Sequence, residues 1–158
     1  MSQKTSVTIP PVEIEDIRAH DLLTDPVGSK LVERYREECA KPPFAESAPD
    51  AEAYKAMESI GNYRLAWMKK DGKPIGFVGV LVCKVPHFSM VCASIESLYL
   101  APEHRKGFNG LRLLKWAKTV AKQAGAVGIT MTAVEGTRLE QLATRLGRKT
   151  SHNFFLEV

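Results

Sequence analysis

The fold is decided by the stretch Glu96-Ser97-Leu98-Tyr99-Leu100-Ala101-Pro102-Glu103-His104-Arg105-Lys106-Gly107-Phe108-Asn109-Gly110-Leu111-Arg112-Leu113-Leu114-Lys115-Trp116. A strand-like segment runs into Pro102, a basic turn containing two glycines follows, and an amphipathic helix begins at once. The first amides of a helix have no intrahelical partner, and the helix dipole adds partial positive charge there. Gly107 and Gly110 let the backbone come close to an anion, with Arg105, Lys106 and Arg112 supplying full charges nearby. The combination makes an anion site suited to a pyrophosphate. Taken alone, a glycine turn before a helix is more often only a tight connection. It lacks the Gly-Lys-Ser/Thr of a Walker loop and the Gly-x-Gly-x-x-Gly of a dinucleotide fold.

Working upstream, Met90 to Leu100 reads as a strand, preceded by a turn at Pro86-His87-Phe88 and another strand from Ile75 to Val85. Lys70-Asp71-Gly72-Lys73-Pro74 is a hairpin turn after a strand at Tyr63 to Met68. Short links between three strands predict an antiparallel meander. Before it, Ala53, Tyr54, Met57 and Ile60 recur at helical spacing over Asp50 to Ile60, ended by Gly61-Asn62. An earlier helix opens at Pro26, carries Leu31, Val32, Tyr35 and Cys39, and stops before Pro42-Pro43. Val12, Ile14 and Ile17 suggest a first short strand or a turn leading inward, and residues 1–11 are expected to be loose or extended.

Downstream, the helix from Gly110 to Gln123 shows Leu111, Leu114, Ala117, Val120 and Ala121 on one stripe, opposite Lys115, Lys118 and Lys122. A strand over Val127 to Ala133, a helix over Thr137 to Leu146 and a terminal strand over Asn153 to Val158 complete the order β-α-α-β-β-β-α-β-α-β. The fold class is α+β: one central, mostly antiparallel twisted sheet flanked by helices, in a single domain spanning 1–158. Trp67 and Trp116 are expected to pack in or near the core.

Composition agrees. With 158 residues, 44% hydrophobic and 25% charged, the chain is an ordinary globular one. The longest apolar run, Ile75 to Cys83, is too short to cross a bilayer. No apolar leader run or small-residue cleavage site marks the start, so no secretory signal is expected. Three cysteines without metal spacing, Cys83 and Cys92 within apolar stretches, point to small buried hydrophobes and a reducing, cytoplasmic setting. A net charge of +4 is too small and scattered to demand nucleic acid and suits a polyanionic nucleotide instead. The lysine stripe reads as a solvated helix face.

Over Leu98–Ala126 the segment LYLAPEHRKGFNGLRLLKWAKTVAKQAGA resembles the cofactor motif of the GNAT N-acetyltransferase superfamily. Its Arg-Lys-Gly-x-x-Gly-x-Arg-Leu-Leu form is similar to a variant in acetyltransferase-like proteins of tailed bacteriophages. LEQLATRLGRK, Leu139–Lys149, resembles the family's later helix and Leu-Gly segment. The resemblance implies acetyl-CoA as cofactor, an amine as acceptor, and direct transfer in a ternary complex. It implies that the backbone of Leu98, Tyr99 and Leu100 pairs with the pantetheine arm. Arg105, Lys106, Gly107, Phe108, Asn109, Gly110 and Leu111 then wrap the pyrophosphate. Phe108 departs from the glycine usual at its position, which implies a turn that is wider or differently closed.

Amine acetylation needs a base for the ammonium proton and a polarised thioester carbonyl. Glu96 is the candidate base, expected to be desolvated among apolar strand neighbours; the alternative is a solvent-facing strand residue. The family often places a tyrosine acid where this chain has Ala143, which leaves the acid unassigned among Tyr99, Ser97 and His152. His104 belongs with the charge cluster of the turn. An acceptor pocket around Phe44, Tyr54 and Glu135 follows from the resemblance. Phe108 and Ala143 also keep open a catalytically weak binding or assembly protein on the same fold. The oligomeric state is open, a homodimer included.

Overall fold

The structure, a computed structural model, describes residues 12–39, 47–150 and Leu156. A five-stranded sheet in the order β1-β2-β3-β4-β5 is built from β1 (Val12–Ile17), β2 (Tyr63–Lys70), β3 (Lys73–Val85), β4 (Met90–Leu100) and β5 (Ile129–Met131). The first four strands pair antiparallel and β5 pairs parallel to β4. Helices α1 (Ala19–Thr24), α2 (Pro26–Cys39), α3 (Ala51–Ser59), α4 (Asn109–Gln123) and α5 (Arg138–Leu146) complete it. The mixed, mostly antiparallel sheet flanked by helices is the expected α+β architecture. The expected terminal strand, Pro42-Pro43 and residues 1–11 fall outside the described residues or largely so.

Local chemistry sets these boundaries. At the β2–β3 hairpin, Asp71 and Gly72 both take left-handed backbone, with φ of 52° and 72°, the primed-turn geometry that matches strand twist. Asp50 caps α3 by accepting the Ala53 N–H at 3.0 Å. Gly125, at φ 72°, turns the chain out of α4 so that it returns as β5; a strand, crossover helix and parallel strand result.

The sheet separates two apolar clusters. On one face Leu113, Ala117, Val120 and Ala121 of α4 pack on Met68, Val78, Val80 and Ala93. On the other, Ala19, Leu22 and Leu31 of the early helices cover Leu65, Trp67, Phe77 and Tyr99. Both tryptophans pack as expected, with Trp67 Nε1 donating to Glu15 at 2.9 Å and Trp116 Nε1 to Asp16 at 2.8 Å.

Four expectations need correction. A third early helix, α1, precedes the Pro26 helix; its six residues are too few to show a period, and its Ala19 N–H is held by the distant Glu58 carboxylate at 2.7 Å. The buried stripe of α4 is Leu113, Leu114, Ala117, Val120 and Ala121, while Leu111 is exposed. β5 is three residues long, shorter than the alternating segment that announces it. Cys83 is exposed and Cys92 half-buried, because they lie opposite each other near the far end of β3 and β4, beyond the helix cover.

Leu113 is fully buried in the α4-facing cluster. Replacing it with alanine leaves a cavity and should lower unfolding free energy by roughly 2–5 kcal/mol, read from urea denaturation.

Candidate active site

The site begins with one surplus residue in β4. Gly79 is opposite Ser97 and Val80 opposite Ile95, so Glu96 has no partner on β3. Such a bulge bends a strand and re-aims its side chains, and here both Glu96 and Ser97 turn toward the face covered by the early helices. Tyr54 of α3 donates its phenol to Glu96 Oε1 at 2.9 Å, and Tyr63 of β2 donates to Oε2 at 3.2 Å. Ser97, buried, hydrogen-bonds the Tyr63 phenol. Glycine at position 79 is what makes room: a Cβ there would sit 2.2 Å from the Tyr63 oxygen and 2.8 Å from the Ser97 oxygen.

Glu96 itself is exposed, which corrects the expectation of a carboxylate desolvated among apolar neighbours. The bulge lifts it out of the ladder and onto the wall of a cleft. That cleft, about 550 Å³, is bounded by Tyr35, Arg36 and Cys39 of α2, by the 47–50 segment, and by Ala53, Tyr54 and Met57 of α3. Tyr35 packs edge-on against Phe77 and Tyr99, with ring centroids 5.6 and 6.0 Å away. Burial, then the Glu96 charge, pushes its phenol up to about 12. The same causes push Tyr54 and Tyr63 higher still, so these phenols stay protonated as hydrogen-bond donors. Of the expected acceptor pocket, Tyr54 lines the cleft, Glu135 is exposed outside its lining, and Phe44 is not among the described residues.

The second half lies around the start of α4. After the single 3-10 turn Pro102–His104, Gly107 takes left-handed backbone at φ 76°, and the Asn109 side chain donates to the His104 carbonyl at 3.1 Å. No side chain caps α4 at Phe108. Added Cβ atoms at Gly107 and Gly110 would meet only open space. Phe108 is 75% exposed and Lys106 is exposed beside it.

Two expected cations are turned elsewhere. Arg105 donates from Nε to the Leu100 carbonyl at 2.7 Å and from Nη2 to Glu38 of α2 at 2.6 Å, with its guanidinium 5.5 Å from the Tyr99 ring centre. Arg112 donates to the Val12 carbonyl at 2.6 Å. Arg34 grips Glu103 through two bonds of 3.0 and 2.9 Å and holds that carboxyl down to about 2. Side chains thus tie α2 to the turn, while Lys106 stays exposed.

Between the halves, β4 and β5 part. They pair only over Ala93–Ile95 and Ile129–Met131, whereas β4 continues to Leu100. Among the described residues, the β4 edge from Glu96 to Leu100 therefore has no neighbouring strand on that side, and its backbone is open to an extended ligand. Ala143 is half-buried on α5, and His152 lies outside the described residues. Sequence reasoning missed Tyr63 and Arg36 as members of the site, and it read Tyr54 only as pocket lining. Their spacing looks like ordinary packing, and no local signal marks the bulge.

Three comparisons bear on this arrangement. The Acetyltransferase (GNAT) family model matches residues 28–149. The aminoalkylphosphonate N-acetyltransferase of Salmonella typhimurium is 27% identical over 133 residues, covering 84% of this chain and 75% of that protein. Among solved structures, an aminoglycoside acetyltransferase from an uncultured soil metagenomic sample superposes with a TM-score of 0.74 at 15% identity, over 94% of this chain and 99% of the other. A ribosomal-protein-alanine N-acetyltransferase from Brucella melitensis biovar Abortus 2308 gives 0.71 at 14% identity, with the same coverage. At such identities the structures speak for the fold.

All four tyrosines of the chain have phenols shifted upward, burial being the leading cause in each. At about pH 10.5, where roughly three-quarters of free phenols are ionised, the folded protein should show less phenolate absorbance than the unfolded chain. The folded state holds these protons to higher pH than the unfolded chain does. Stability from them is therefore complete below about pH 10 and falls as pH climbs toward 12, which a chemical denaturation series across that window would record.

Proposed function

The chain belongs to the Acetyltransferase (GNAT) family, and from that premise we propose that it moves an acetyl group from acetyl-CoA to an amine, with Glu96 as the base. The observation that carries the reading is the juxtaposition of an open β4 edge with a carboxylate held by two phenols on a cleft wall. GNAT enzymes as a family use acetyl-CoA. Its fit to this chain is supported by the uncapped start of α4 and by the free space at Gly107 and Gly110.

In this reading the amides from Gly107 to Leu111 and the Lys106 ammonium hold the pyrophosphate. Phe108 and Asn109 shape the turn, and the backbone of Leu98, Tyr99 and Leu100 aligns the pantetheine arm. Arg105 acts first as a strut between the turn, the Leu100 carbonyl and Glu38; its role toward phosphate is secondary. Acetyl-CoA supplies the activated acyl group: the amine nitrogen bonds to the thioester carbon, the carbon–sulfur bond breaks, and the sulfur leaves as a thiolate that takes up the second proton, the one the nitrogen sheds on becoming an amide.

Glu96 takes the proton of the incoming ammonium, directly or through water. Tyr54 and Tyr63 each bind one of its oxygens, which fixes the carboxylate on the cleft wall. An ordinary thiol has a pKa of about 8.5, so sulfur is a competent leaving group without a dedicated donor. Ala143, in place of the tyrosine common in relatives, is compatible with turnover for that reason. Among the described residues no helix is long and apolar enough to cross a membrane. Free Cys39, Cys83 and Cys92 suit a reducing cytoplasm.

Calorimetric titration with acetyl-CoA and steady-state acetylation separate the two halves. Glu96→Gln should lower kcat by roughly 10²–10⁴-fold while cofactor affinity stays within a factor of about three. Lys106→Glu should weaken acetyl-CoA binding by roughly tenfold or more, the worth of one charge-assisted hydrogen bond, with little effect on kcat at saturation. Failure of the wild-type protein to bind millimolar acetyl-CoA would sink the reading.

A further inference from the structure

The register of β3 and β4 sets two thiols side by side. Cys83 belongs to β3 and Cys92 to β4, and they are directly opposite partners in the antiparallel ladder. Side chains directly opposite each other leave a sheet on the same face. Beyond them the hairpin closes through the 3-10 turn Pro86–Phe88 and through Ser89, in left-handed backbone at φ 51°. Backbone directions fix the kind of pair. The Val82 N–H donates to the Asn62 carbonyl on the β2 side, and the Ala93 N–H donates to the Gly128 carbonyl on the β5 side. Successive residues of a strand address opposite edges, so Cys83 and Cys92 turn their backbone groups toward each other. Such a hydrogen-bonded pair has Cα atoms about 5.5 Å apart.

A disulfide spans Cα atoms about 4.4–6.8 Å apart, so the pair is within reach of one. Cβ atoms across a ladder are about 4.5–5.5 Å apart and have to close to about 3.5–4.5 Å, which draws the strand ends together. This end of the hairpin has room for that movement. Cys83 is exposed and Cys92 half-buried, with exposed Lys84 and Met90 next to them in β3 and β4. Neither cysteine belongs to the apolar clusters under the helices. A bond that has to displace its strands, within reach of solvent, is readily reduced again.

We propose that Cys83 and Cys92 are a redox couple that closes reversibly to a cross-strand disulfide by exchange with a low-molecular-weight disulfide. The inference is independent of acetyl transfer at Glu96. Exposed Cys83 reacts first: its thiolate attacks one sulfur of the small disulfide and displaces the other as a thiolate. The Cys92 thiolate then attacks the Cys83 sulfur of the mixed disulfide and displaces the second small thiolate. The two protein thiols give up two protons and two electrons, and the oxidant leaves as two thiols. The folded ladder holds Cys92 beside the mixed disulfide, so ring closure outruns capture of a second small thiol. The link staples the hairpin end of the strand that goes on to carry Glu96.

The test treats the full chain with oxidised glutathione and follows it by peptide mass mapping and thermal unfolding. In the wild type, the peptides of Cys83 and Cys92 should be joined, with two hydrogens lost and glutathione on neither. Excess reduced glutathione should return both thiols in the folded protein. Oxidation should raise Tm by a few degrees, the effect of closing a short loop. Cys83→Ser and Cys92→Ser should each leave the remaining partner carrying one glutathione and should lose the oxidation-dependent rise in Tm; their unfolding curves also show that the sheet is intact. A link through Cys39, disulfides between chains, glutathione left on both residues, or two free thiols after oxidation overturns the inference. So does a Tm that oxidation does not raise, or a Cys83–Cys92 bond that excess reduced glutathione leaves intact in the folded protein.

Discussion

One residue too many in β4 organises this molecule's chemistry. Backbone hydrogen bonding in a sheet is nearly obligatory, so a surplus residue has to leave the ladder, and the side chain that leaves is Glu96. Two phenols from separate elements, α3 and β2, then close on its two oxygens. That contact requires Gly79 across the ladder, because any side chain there would occupy the Tyr63 hydroxyl's position. A register irregularity, a missing Cβ, one buried ring and one half-buried ring thus form one unit. Remove any part and the carboxylate loses its fixed place on the cleft wall.

The same strand serves a second purpose. Past Ile95 it loses β5 as a neighbour and runs on alone to Leu100. The chain then needs only the short turn at Pro102–His104 and Gly107 to bring the uncapped amides of α4 to the end of that exposed edge. Antiparallel pairing on one side and parallel pairing on the other make the parting possible. The crossover through α4 reaches β5 from the opposite direction, and the two strands share only a few residues before diverging.

How much of this was legible in the sequence follows from the range of each interaction. The meander could be read because alternation and turn residues are local: Asp71-Gly72 between two alternating segments announces its own hairpin. The start of α4 was equally readable, since Pro102, Gly107 and the helical period sit within a few residues. The exposure of Glu96 was not, because a bulge is a property of two strands together and leaves no mark on either alone. The engagement of Arg105 by Glu38, and of Arg112 by the Val12 carbonyl, reaches across 67 and 100 residues of chain. Both residues look like free cations when only their neighbours are read. Helix α1 was missed for a related reason, its first amide being held by Glu58 from a later helix.

The links between α2 and the turn have a consequence of their own. Arg34–Glu103 and Arg105–Glu38 both lie at or near the surface, where ionic strength governs how firmly opposite charges hold. Helix α2 forms one wall of the cleft beside Glu96, so dissolved electrolyte reaches that cleft without entering it. In dilute buffer the wall is clamped to the strand end by two ion pairs, and in brine by packing alone.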